Sequence, residues 1–291
     1  MANARASRSA EGVAGIRAVE MLKPEADRIV SDPYAKALVP GGITFSLSMW
    51  IIKSGLYERI APGAIGFITG RERYIDDYLK NCLKEGFDQI VILGAGFDTR
   101  ALRIPGIEKT RVFEIDQPST LAAKQERLKK IIDPLPAYIT FIPANLNTQQ
   151  LGDVLRSGGY NEQGKTLFIW QGVIYFLKPE GVDSTLAFIA DHSGPGSAVI
   201  FDYIYSETLH DTTQGYGKAL ARAGKMSGEP YIFGIDRGQA GPFLAKRGFC
   251  DVIDMPLEDL KPKYFTGPNA RRAILTGHIA IASARVCRVG S

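Results

Sequence analysis

Apolar residues recur at helical spacing through the first 86 positions. Ile16, Val19 and Leu22 lie three apart, Tyr34 and Leu38 lead to a Gly41-Gly42 break, and a second helical stretch runs through Trp50. From Ile68 to Leu83 another helix is predicted, because Tyr74, Ile75, Tyr78, Leu79 and Cys82 share one stripe. After Gly86 the period shortens. QIVILGAG, RVFEID, YITFIPAN, TLFIWQG and SAVIFDY are short β-branched or aromatic runs with helix-compatible segments between them.

Strands that alternate with helices pair in parallel through right-handed crossovers, so residues 87 to about 205 are expected to form most of an open α/β sheet. Ligands of such sheets sit beyond the carboxyl ends of the strands. Gly94, Asp116, Asn145 and Gln171 each stand at or just after the end of a run. Residues 206–245 read as Gly-rich and irregular, and GFCDVIDM and HIAIASARV as closing strands. The expected organisation is one structural unit: an N-terminal helical cap over 1–86, and a core over 87–291 with a lid or insertion at 206–245. No Pro/Gly/Ser-rich linker, internal repeat or low-complexity tract divides the 291 residues.

The 35 Lys and Arg exceed the 31 Asp and Glu by only four. Apart from Lys129-Lys130 and Arg271-Arg272 the basic residues are scattered, which argues against nucleic acid as a partner. Cys82, Cys250 and Cys287 lie far apart in sequence with no CxxC pair, so neither a disulfide framework nor a zinc site is expected. The histidines His192, His210 and His278 have no metal-ligand spacing either. A reduced, cytoplasmic setting fits. The N-terminal arginines precede no apolar signal core, and Phe45 to Ile52 is too short to span a membrane, so no membrane partner is expected. The first ten residues are expected to be a loose end. Nothing in the sequence reads the oligomeric state.

In LGAGFDTR, Gly94 and Gly96 let the backbone approach a ligand, and a helix starting near Phe97 turns its amides toward an anion or polar group. A dinucleotide site wants a third glycine three residues after the second, where this chain has Thr99, and the NAD reading loses ground. A tight turn without a ligand is the alternative. Asp116 lies 22 positions after Gly94, the spacing at which an acid on the second strand accepts ribose hydroxyls, and Glu114 shares its face. An acid just before Pro118 is also a helix cap. The glycine turn upstream favours the ribose.

Five segments, RERYIDD (71–77), LGAGFDTR (93–100), FEIDQP (113–118), ANL (144–146) and WQGVIYFL (170–177), resemble in order and spacing the leucine carboxyl methyltransferase-like family of S-adenosylmethionine-dependent methyltransferases. The resemblance covers residues 10–285, nearly the whole chain. It implies a Rossmann-like class I methyltransferase sheet, α/β, mostly parallel and of about seven strands, with S-adenosyl-L-methionine as cofactor. By the same resemblance Arg71 would hold the methionine carboxylate in its bidentate fork. Gly94 would let the methionine moiety lie against the backbone, Asp116 would take the ribose hydroxyls, and Asn145 and Leu146 would flank adenine. Ala95, Gly96, Gln117, Gln171 and Gly172 complete the implied cofactor-binding set. Asn145 stands where Asp is common, and its amide can still pair with adenine. Gln171 stands where Glu is common, which removes a charge near the sulfonium.

Methyl transfer from a sulfonium is an in-line displacement, so such an enzyme aligns nucleophile, methyl and sulfur and excludes water, and no metal is implied. A carboxylate acceptor needs no base. A hydroxyl acceptor does, and His210 or Tyr203 could supply it. Tyr175 is the third catalytic candidate, with packing under a lid as its alternative; for His210 the alternative is a solvated loop. Arg237, Arg271 and Arg272 either hold an acidic acceptor or are surface charge. Phe45, Trp50, Ile51, Leu56 and Tyr57 either line the acceptor pocket or belong to the core. Gly215, Gly217, Gly224 and Gly228 are expected to let the insertion move as a lid. The expected function is methylation of a small-molecule acceptor on a carboxylate or hydroxyl oxygen. A protein C-terminal carboxyl methyltransferase, and a non-catalytic or NAD-binding Rossmann-like protein, are the alternatives.

Overall fold

A computed structural model of the chain describes residues 7–41, 50–52 and 54–287. Seven strands, β1 (Gln89–Leu93), β2 (Arg111–Asp116), β3 (Ile139–Pro143), β4 (Thr166–Trp170), β5 (Ala198–Ile204), β6 (Phe249–Pro256) and β7 (Ile279–Val286), form one sheet in the order β3-β2-β1-β4-β5-β7-β6. The five runs read in the sequence pair in parallel, and β7 runs antiparallel between β5 and β6. The expected class I, mostly parallel α/β sheet is the one observed. Every residue of β1, β4 and β5 is buried, as central strands covered on both faces require. Strand order reverses between β1 and β4, so a crevice opens at their carboxyl ends.

The longer helices are α1 (Arg8–Glu20), α2 (Ala64–Lys84), α3 (Pro118–Lys129), α4 (Leu151–Ser157), α5 (Pro179–Asp191), α6 (Gly215–Ser227) and α7 (Ala240–Ala245). None among the described residues is long and apolar enough to cross a membrane. Helix α2 buries the expected stripe: Ile75, Leu79 and Cys82 belong to the core of the sheet. Helix α1 starts earlier than a loose end of ten residues allows, because the Ser7 hydroxyl caps it by accepting from the Ala10 amide at 3.3 Å. It stops at Glu20, so Ile16 is buried and Leu22 is exposed. Residues 1–6, and the Gly42 to Met49 part of the second helical stretch, lie outside the described residues.

Two expectations are corrected. Residues 206–245 are largely ordered structure: a short helix at Ser206–His210, then α6 and α7, with Leu220, Phe233, Ile235 and Leu244 buried. Gly217 serves close packing, since a Cβ there would stand 2.0 Å from the Asp211 carbonyl oxygen, whereas Gly215 and Gly228 have open space and positive φ. Cys250 and Cys287, in turn, form a disulfide with Cα atoms 5.5 Å apart. They stand 37 positions apart in sequence, but the antiparallel register sets Phe249 opposite Val286 and closes the gap.

Candidate functional site

A cavity of about 550 Å³ opens beyond the carboxyl ends of β1 to β4, between the sheet, α1, α2 and α6. It gathers Arg71, Gly94, Ala95, Gly96, Asp116, Gln117, Asn145, Leu146, Gln171 and Gly172, every expected cofactor-binding position, together with Tyr175. Tyr203 and His210 are elsewhere. The Tyr203 hydroxyl is buried behind the sheet and donates to Asp254 at 2.8 Å, and His210 is exposed at the end of its short helix. Of the five residues read as acceptor-pocket candidates, Tyr57 lines the cavity, Trp50, Ile51 and Leu56 do not, and Phe45 lies outside the described residues. Arg237 pairs with Glu258 and Arg272 with Glu20, while Arg271 is exposed.

The turn after β1 fits only glycine at its first position. Gly94 has φ +65°, and a Cβ there would lie 2.3 Å from Val173 Cγ2. The turn is then clasped by the tip of β2. Gly96 N–H donates to Asp116 Oδ2 and Gln117 N–H to Oδ1, both at 2.6 Å. Each oxygen retains a second lone-pair direction for a hydroxyl. Burial raises the Asp116 pKa above the ordinary range, and those two amides and Lys124 oppose the rise. Glu114 faces inward as expected and pairs with Lys124. Asn145 accepts from Asn147 N–H at 3.0 Å, bending the chain after β3 so that Leu146 reaches the cavity.

Arg71 projects from α2 with 3% of its surface exposed. Its Nη1 pairs with Asp202 Oδ2 at 2.6 Å, its guanidinium lies 4.6 Å from the centre of the Phe67 ring, and its Nε has no hydrogen-bond partner. Asp202 also accepts from Gly172 N–H at 2.6 Å. A buried cation with an unpartnered donor on the cavity wall is suited to a carboxylate. Asp202 was not singled out in the sequence; the only signal is an acid inside the apolar run of β5.

Behind the cavity lies a buried ionic network that the sequence reading also missed. Arg100 bridges Glu72 (2.6 Å), Asp76 (2.7 Å) and Asp98; Arg103 also pairs with Asp76, and Arg17 pairs with Asp32 (2.8 Å) and Glu72 (3.2 Å). Gln171 closes it, accepting from Arg100 at 2.9 Å and donating to Glu72 at 2.8 Å. Burial works to raise the Glu72 pKa, but Arg100, Arg17 and Arg103 outweigh it and hold the carboxyl far below its usual range. The charges at i, i+4 in RERYIDD and the arginines of FDTRALR were the available signal.

The sequence profile of the leucine carboxyl methyltransferase family matches residues 10–190. The chain belongs to that family. A Bacillus subtilis relative named as the S-adenosyl-L-methionine-dependent methyltransferase YktD is 36% identical over 200 residues, spanning 67% of this chain and 65% of that protein. A relative of the same description from Mycobacterium sp. (strain KMS) is 31% identical over 254 residues, 81% and 82% of the two chains. The crystal structure of a DUF574 family protein from Streptomyces avermitilis shares the fold, with a TM-score of 0.61 and 14% identity over 97% of this chain and 98% of that one. The protein is an S-adenosylmethionine-dependent methyltransferase, and S-adenosyl-L-methionine is its cofactor.

Proposed function

We propose that the protein methylates a carboxylate oxygen of a small-molecule acceptor. The bound cofactor supplies an electrophilic methyl on its sulfonium. In this reading Arg71 holds the methionine carboxylate, Gly94 to Gly96 carry the methionine moiety, and Gln171 and Gly172 face its ammonium side. Asp116 and Gln117 take the ribose, and Asn145 and Leu146 bracket adenine. Helices α1 and α2 of the helical cap close over the cofactor, and Tyr216 and Tyr231 of the 206–245 segment enclose the acceptor.

One observation carries the choice of a carboxylate: the side chains around the acceptor end are protonated donors. Burial raises the pKa of Tyr57, Tyr175, Tyr216 and Tyr231, and the charge of Asp202 adds to the rise at the last three. Asp202 itself is committed to Arg71 and Gly172. An acceptor that arrives ionised needs no proton removed, and Tyr175 can donate to it. Tyr203 and His210, the earlier candidates for a base, do not reach this wall.

The test is transfer of labelled methyl to a panel of small carboxylic acids, alcohols and peptides. Expected products are methyl esters of small acids, which release methanol in mild base. Base-stable ethers, or turnover of peptide C-termini alone, would refute the reading.

A further inference from the structure

One part of the cavity wall is aromatic. Tyr57, Phe67, Tyr175, Phe176, Tyr216 and Tyr231 all line the cavity, and all but Tyr175 keep a partly exposed surface. Three of them interlock: Phe176 lies 4.7 Å from both Tyr175 and Tyr231, and Tyr175 lies 5.3 Å from Tyr231, centre to centre. Their backbones are tied as well, because the amides of Ile232 and Phe233 donate to the Tyr175 carbonyl at 2.8 and 3.2 Å. Such rings cannot turn independently, so they present fixed faces before any ligand arrives.

We infer that the acceptor is a planar aromatic acid whose ring seats on Phe176 and Tyr231, an assignment that rests on the carboxylate reading above. Ring faces held in place favour a flat π-system, through offset or edge contacts, over a saturated group of the same size. A peptide is the poorer occupant, because its N–H and C=O groups would meet these faces with few partners. The polar end is also fixed. A Cβ on Gly172 would stand 3.5 Å from both Arg71 Nη1 and Tyr175 Oη, so the Tyr175 hydroxyl lies next to the methionine end of the cofactor, and it is the donor that would receive the ring's carboxylate. No further charged side chain is needed to orient it.

The experiment is calorimetry on the full chain loaded with S-adenosylhomocysteine, using 2-naphthoate and decahydro-2-naphthoate as probes. Naphthoate is expected to bind about tenfold more tightly than the saturated acid, the upper range of an aromatic pair. Tyr231→Leu and Phe176→Leu should each remove that preference, Tyr231→Phe should keep it, and all three should bind S-adenosylhomocysteine as the unaltered protein does, which also reports their folding. The inference is overturned if the two acids bind equally, if the saturated acid binds better, if neither binds, or if the preference survives both leucine variants. Failure of the carboxylate reading is seen separately, in the chemical class of the labelled product.

Discussion

Arg71→Met separates the two tasks assigned to Arg71. The side chain is paired at 2.6 Å with Asp202, whose side chain is fully buried, so removing it strands a carboxylate in the core. Breaking one side of a buried pair costs about 3–5 kcal/mol. For a chain of this size that is a drop in melting temperature on the order of 10 °C. Adding Asp202→Asn removes the stranded charge while keeping an oxygen for the Gly172 amide, and should restore all but about 1–2 kcal/mol. The ligand task does not recover. If the Nε and its neighbours hold the methionine carboxylate, the double variant should still bind S-adenosylhomocysteine about 10–100-fold more weakly, the worth of a charge-assisted contact. Thermal unfolding and calorimetry on the two variants decide it. A double variant that binds with the original affinity would show that Arg71 is only the partner of Asp202, and a single variant costing under about 1 kcal/mol would contradict its buried pairing.

Asp116→Ala should weaken S-adenosylhomocysteine by about 1.5–3 kcal/mol in calorimetry. In the unaltered protein affinity should fall as pH drops through the raised pKa of Asp116, since only the carboxylate accepts two hydroxyls, and an unchanged affinity in the variant would leave it a mere clasp of the glycine turn. Glu72 has a folded pKa below its unfolded value of about 4.5. Its stabilisation is therefore fully present above that pH and lost as pH falls through the lower value, so Glu72→Gln should flatten the acid limb of a melting curve. Gln171→Glu would turn the 2.8 Å donation to Glu72 into repulsion between two acids, and unfolding should show a loss of about 1–3 kcal/mol. Limited proteolysis between residues 211 and 232 should slow when S-adenosylhomocysteine and an aromatic acid are both present, if α6 and the Tyr231 turn enclose the acceptor.

The sheet was legible because its central strands are apolar on both faces, which leaves continuous runs such as QIVIL and TLFIW between breaks. The carboxyl ends of those runs then located the cavity, since topology fixes where a parallel sheet opens. What spacing could not give is pairing across the chain. Arg71 and Asp202 are 131 residues apart, and nothing in β5 marks its acid as the partner of a residue on α2. Composition also could not tell the tasks of the glycines of 215–228 apart: Gly217 is small because a helix start rests on the Asp211 carbonyl, whereas Gly215 and Gly228 take positive φ with open space around them. Tyr216 and Tyr231 escaped notice for a related reason. An aromatic residue in a segment read as irregular has no periodicity to reveal the face it turns inward.

The central claim, that the acceptor arrives already ionised and the protein removes no proton, is tested most directly by single-turnover methyl transfer from labelled S-adenosylmethionine to 2-naphthoate as a function of pH. The rate should be flat from about pH 6 to pH 9, because the acid is ionised throughout and the cavity tyrosines titrate above that window. A rate rising about tenfold per pH unit across it would mean that a base or a hydroxyl must first lose its proton, and would contradict the account.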